Sequence, residues 1–179
     1  MTNNTNRPFE AALPEGSRAT SLLAGADFHD TWGVEAQTRG QSALGLFIQA
    51  AACTPHWVDV CMDLRNRAGA LVGLKNLGRL ASVSGSKPAE DYKAGERVSI
   101  FTVFENSFEE ALIGDKDKHL DVFLSIHRAQ DGENDRALVR VTTIVHVKNT
   151  LGRIYMLPVR PMHRLIAPAV LEAFNSHQA

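Results

Sequence analysis

The stretch ALVRVTTIVHVKNTLGRIYMLPVRPMHRLIAPAVLEAFNSH, residues 137–177, decides the architecture. Its first part is a strand: Val139, Val141, Thr143, Val145 and Val147 recur at every second position and form one apolar face. After Asn149 the period changes. Leu151, Ile154, Tyr155, Met162, Leu165, Ile166, Ala169, Val170, Ala173 and Phe174 fall close to a helical stripe that ends near His177. Pro158, Pro161 and Pro168 interrupt it, and each removes a backbone donor and crowds the carbonyl four residues back. This predicts a turn near Pro158 and a kink near Pro168. A strand followed by one long closing helix points to an α+β domain.

Upstream, Leu120, Val122, Leu124 and Ile126 supply a matching apolar face, with DGEND as the turn between the two strands. Strands are predicted over residues 97–107, 109–114, 119–128 and 137–148. Before them, ASVSGSKPAEDYKAGE reads as a surface loop. Ser42 is a cap for a helix running to about Cys53, and Thr54-Pro55 opens a second. In that second helix Trp57, Val60, Cys61, Leu64 and Ala68 make the stripe predicted to pack on the sheet, and helical pattern continues through Leu74 and Leu77. Ahead of both helices, Ala26, Phe28, Asp30, Trp32, Val34 and Ala36 alternate with polar residues as a half-buried strand does. Asp30 is the odd member of that apolar set. Residues 1–20 are rich in Asn, Pro, Gly and Ser without a period and read as a flexible arm; residues 21–179 read as a single domain.

Composition narrows the function classes. Lysine plus arginine (19) nearly balance aspartate plus glutamate (20), so no net field draws nucleic acid or an anionic surface. Apolar residues make up 44% and charged residues 22%, enough for a sizeable core and unlike a disordered chain. No apolar run approaches the ~18 residues that cross a bilayer, and the polar start lacks the apolar segment of a secretory signal. A soluble cytoplasmic protein, monomeric or a homodimer, without nucleic acid, integral membrane association, metal or cofactor, is the expectation. Cys53 and Cys61 stand eight positions apart on helical segments and read as buried thiols rather than a disulfide.

The order strand, two helices, antiparallel strands, long terminal helix resembles the helix-grip architecture of the START-like (SRPBCC) superfamily. HLDVFLSIH (119–127), VTTIVHVKN (141–149), GRIYMLPVRPMHRLI (152–166), WVDVCMDLRNR (57–67) and GLKNLG (73–78) resemble a bacterial family of uncharacterised domains assigned to that superfamily. The resemblance implies a curved antiparallel sheet wrapped around a long C-terminal helix, with a cavity between them that takes an apolar or amphipathic molecule. Some members of the superfamily are cyclases or hydrolases, and fold analogy does not carry their chemistry over.

Candidate site residues follow from position. Asp115, Asp117, His119 and Asp121 alternate along one strand, and pairing Arg128 with Ala137 sets His119 opposite His146. The set has metal-ligand chemistry, but Ser125, His127 and Arg140 share the face, which reads as the solvated side of the sheet. Asp30, beside Trp32 on an inward face, is either a desolvated acid or base or a strand-end carboxylate paired with an arginine such as Arg39 or Arg153. Tyr155, Thr102 and Thr143 are candidates to bond the polar end of an apolar ligand; a packed tyrosine bonded to a carbonyl is the alternative. Arg153 either binds a carboxylate or ties down the strand-to-helix turn. His163 either titrates at a cavity rim or caps a turn.

Three functions fit these residues. The first is binding of a small apolar or amphipathic molecule between sheet and helix, which requires a cavity of about 300 Å³ or more. The second is a cyclase, hydrolase or isomerase using Asp30 or His163 as acid or base with Tyr155. The third is a ligand-free regulatory or scaffold protein, which requires an exposed apolar patch and a partner.

Overall fold

The computed structural model describes residues 7–71, 87–130 and 135–175. GLKNLG, the helical pattern through Leu74 and Leu77, most of the DGEND turn and the predicted helix end at His177 lie outside the described residues. Among those described, seven strands form one antiparallel sheet, and three α-helices accompany it. The strands are β1 (Phe9–Glu10), β2 (Phe28–Gln37), β3 (Arg97–Val98), β4 (Phe101–Asn106), β5 (Glu110–Lys116), β6 (Leu120–Arg128) and β7 (Arg136–Val147), in spatial order β1-β2-β7-β6-β5-β4-β3. The helices are α1 (Ala43–Ala52), α2 (His56–Leu71) and α3 (Thr150–Glu172).

Ser42 caps α1, its hydroxyl accepting from Gly45 N–H. Asn149 does the same for α3, its side-chain oxygen accepting from Gly152 N–H at 3.0 Å. The cap explains why α3 starts directly after β7. It then continues through Pro158, Pro161 and Pro168 as one 23-residue helix, without the predicted turn at Pro158. The carbonyls freed by these prolines belong to Ile154, Leu157 and Arg164, all of them exposed, so water replaces the missing donors. Ile154 and Leu165, predicted inward, face solvent, while Met156 and Leu171 are buried.

The helix-side face of the sheet carries two separate apolar clusters. One joins Val34, Val103, Ile113, Ile126 and Val139 to α1 and to Leu171 and Phe174. The other joins Leu120 and Val145 to Met156, with Phe28, Val122, Tyr155 and Val159 packed against it. Between them Trp32, Val122, Leu124 and Val141 are half-buried rather than buried.

The register differs from the expected one by two residues. Arg128 pairs with Val139, so Asp121, not His119, lies opposite His146. A slip of two preserves which face each side chain takes. The opposite face is not solvated, as its polar residues had suggested. Ala19, Leu112, Phe123 and Ile144 form a third cluster there, covered by Leu13, Leu22 and Leu23. Residues 9–22, which composition reads as an arm, run across this face, with β1 paired to β2 and a 3-10 turn over Arg18–Leu22. Glu110 fastens that turn: buried at 6% exposure, it accepts from the Ser17 and Ser125 hydroxyls, both at 2.7 Å, and from Arg18 N–H. Burial opposes its ionisation, but these donors outweigh burial and hold its carboxyl below the ordinary glutamate value.

The exposed stripe of α2 is another correction. Trp57 (42%), Val60 (53%) and Leu64 (68%), predicted to pack on the sheet, face outward, whereas Val58 and Asn66 are buried. Cys53 and Cys61 are free and half-buried.

Candidate functional site

The alternation of β2 sends Phe28, Asp30, Trp32 and Val34 to the face that α3 crosses. Asp30 there meets α3. His163 Nε2 lies 3.1 Å from both Asp30 oxygens, and Trp32 Nε1 donates to Oδ2 at 3.1 Å. The carboxylate therefore has neither of the arginine partners expected for it; an imidazole and an indole hold it instead. Both side chains of the pair are 20% exposed, neither sealed in the core nor free in solvent. The His163 and Phe28 rings pack perpendicular to each other, centroids 5.5 Å apart at 85°. Arg160, one turn earlier on α3, donates to the Asp27 carbonyl at 2.9 Å and stands over the Phe28 ring. Thr143, directly across the ladder from Asp30, is buried beside it.

This group borders a cleft of about 390 Å³ at the β2 edge of the sheet. Leu13 and Leu23 of the covering segment, Phe28, Asp30 and Trp32 of β2 and Arg164 of α3 are among its walls. It is open to solvent and lies beside α3 rather than enclosed between the sheet and α3.

Tyr155 belongs to a second polar point on the same helix. Its hydroxyl accepts from Arg65 Nε at 2.9 Å, and the Arg65 guanidinium also sits 5.3 Å from the ring centroid. Since the oxygen is engaged as acceptor from α2, the hydroxyl proton remains to be donated. Thr102 is not part of this arrangement. Phe101 and Val103 take the core face, so Thr102 lies on the opposite face of the sheet from Thr143. Arg153 is exposed in the first turn of α3 and forms no ion pair among the described residues. Of the seven residues singled out in the sequence, Asp30, Trp32, Thr143 and His163 are brought together, Tyr155 lies two turns away on α3, and Thr102 and Arg153 are apart. Arg65, Phe28 and Arg164 were missed. Periodicity marks Phe28 only as a strand residue and does not mark Arg65 or Arg164, because their importance arises from where α2 and α3 cross the sheet.

The Asp117 to Asp121 run has structural work. Asp117 accepts from the N–H groups of His119 and Leu120 at 2.6 and 3.0 Å. Partial burial opposes its ionisation, these bonds outweigh it, and the carboxyl is held below its usual range. His119 Nδ1 faces Asn149 Oδ1 at 3.2 Å, His146 Nε2 donates to the Leu22 carbonyl, and Asp121 pairs with Lys148 at 2.6 Å. No group of three or more metal-ligating side chains gathers among the described residues. Among the same residues no helix is long and apolar enough to cross a membrane.

No curated protein and no solved structure matches this chain. One family model does, over residues 22–170, which include all of the Asp30, Trp32, Thr143, Tyr155 and His163 group. The chain belongs to the family described as Protein of unknown function (DUF2867).

Proposed function

We propose that this chain is a helix-grip domain of the START-like kind that binds a small amphipathic molecule at the β2-edge cleft. The observation that carries this reading is the composition of the cleft walls. Leu13, Leu23, Phe28 and Trp32 give it apolar wall, and Asp30, held by His163 and Trp32, is an oriented carboxylate among further polar groups from Glu10, His29, Thr31, Thr142 and Arg164. Binding sites combine a largely apolar lining with a few fixed polar groups, in volumes from about 300 Å³ upward. An antiparallel sheet crossed by a long C-terminal helix is also what the helix-grip architecture requires.

A second reading, an enzyme that moves a proton, is favoured by one observation: an imidazole held by a carboxylate beside a cleft is a general acid–base arrangement.

Denaturing extraction and mass spectrometry of the purified chain test the binding reading. A stoichiometric organic molecule in the wild type, lost in Asp30→Ala, is the expected result. The same passenger in both, or none in either even after exposure to amphipathic probes, contradicts it.

A further inference from the structure

We infer that His163 is a base at the margin of the β2-edge cleft, with Nδ1 as the proton-accepting atom, positioned by Asp30 and Trp32 for a ligand that presents a hydroxyl group. This rests on the binding reading above and assigns the polar contact within it.

Counting protons leads there. Trp32 Nε1 is only a donor, so the bond to Asp30 Oδ2 requires that oxygen to accept. His163 Nε2 faces both oxygens of the same carboxylate at 3.1 Å. A bare nitrogen lone pair there would be repelled, so Nε2 carries the hydrogen. In the neutral ring the other nitrogen is then unprotonated. Nδ1 has no partner among the described residues, and it is not among the buried polar atoms, so it opens to solvent. The perpendicular Phe28 contact fixes the ring from a second side. The imidazole is thus held at one nitrogen and braced by an aromatic ring, and it presents a lone pair to solvent, while the carboxylate it binds, the Phe28 ring it packs on and the next residue, Arg164, line the cleft. Asp30 is a positioning residue in this arrangement: it touches His163, not the ligand's reacting oxygen.

The step balances without a co-reactant. The ligand O–H bond breaks, its electron pair stays on oxygen, and the proton forms a bond to Nδ1. The resulting imidazolium keeps its Nε2–H on the Asp30 carboxylate, which faces the new positive charge. Return of the proton restores both partners.

The test uses the full chain labelled with nitrogen-15, titrated with 4-pentylphenol and with its methyl ether, which lacks the hydroxyl. The His163 ring nitrogens, identified by their loss in His163→Leu, report the tautomer directly. Measured at a pH high enough for the ring to be neutral, expected are a His163 proton on Nε2, a shift of Nδ1 on adding the phenol, and phenol binding about tenfold tighter than the ether, the worth of one hydrogen bond to a polarised acceptor. That preference falls below about threefold in His163→Leu, and Asp30→Asn loses the single tautomer while remaining folded. A wild-type His163 protonated on Nδ1 overturns the inference. Equal binding of phenol and ether with Nδ1 unmoved also overturns it, leaving the cleft as a binding site without a base. Binding of neither removes the binding reading and this inference together.

Discussion

Asp30 and His163 are 133 positions apart in sequence, yet Nε2 of one stands 3.1 Å from both oxygens of the other, joining the second strand to the last helix. Because each side chain keeps only 20% of its surface in water, removing one partner leaves the other half-buried and short of a hydrogen bond. Asp30→Asn and His163→Leu are each expected to cost about 1–2 kcal/mol in chemical denaturation. A double-mutant cycle gives a coupling in the same range. A cost of several kcal/mol for either would mark the pair as a structural staple rather than a site.

Gly152 is a position where α3 has no room for a side chain. A Cβ there would stand 2.5 Å from the His119 carbonyl oxygen and 2.9 Å from a Val147 methyl. Gly152→Ala should destabilise by about 1–3 kcal/mol despite alanine's better helix propensity. Gly45 in α1 is the control. A Cβ there meets Ser42 and Ala89 at 3.4 and 3.5 Å, ordinary contacts, so Gly45→Ala is expected to gain up to about 1 kcal/mol. Denaturation midpoints of the two variants, moving in opposite directions, check this.

The prolines of α3 are tolerated because their orphaned carbonyls face water, not because they are favourable. Pro158→Ala restores a donor to Ile154 and is expected to raise stability by about 1–2 kcal/mol, less than the full ~3 kcal/mol of an interior proline since the unfolded chain also gains freedom. Thermal unfolding of the variant reads the change.

Much of this fold was legible in the sequence. The alternation in β6 and β7 names the residues of the inner face, and a register wrong by two leaves that assignment intact because side chains repeat every second position. Ser42, with its helix, and the strand from Phe28 were readable from local chemistry. Three features were not. The outward stripe of α2 and the inward Val58 have the same amphipathic period, and only tertiary packing selects between them. The polar look of Ser125, His127 and Arg140 suggested a solvated face, but Ser125, Thr142 and Glu110 on it are buried, their hydroxyls and carboxylate satisfied by one another and by the covering segment. Asp30 and Trp32 stood out as neighbours on one strand, while their link to His163 depends on α3 continuing unbroken through Pro158 and Pro161.

Glu110 ties the segment over the outer face to the sheet, and its carboxyl is held below its usual 4.5 by the Ser125, Ser17 and Arg18 donors despite burial. A depressed carboxyl contributes stability above its unfolded-state value, and that contribution is lost as pH falls through the lower folded-state value. The wild type should therefore lose stability below about pH 4.5 by a component that Glu110→Gln lacks, and at pH 7 the variant should be about 1–3 kcal/mol less stable. Unfolding curves of both proteins from pH 7 to pH 3 check it. A stability difference that stays constant across that range contradicts this role.

The cleft as a binding site is tested most directly by mapping backbone and indole resonances of the full chain during titration with 4-pentylphenol. The chain has two tryptophans, so the exposed Trp57 on α2 serves as an internal control for Trp32 at the cleft. The expected result is a saturable shift of the Trp32 indole N–H together with Leu13, Leu23 and Thr31, while Trp57 stays in place. Shifts concentrated at Trp57 and the outward face of α2, or no saturable shift at Trp32, would contradict the proposal.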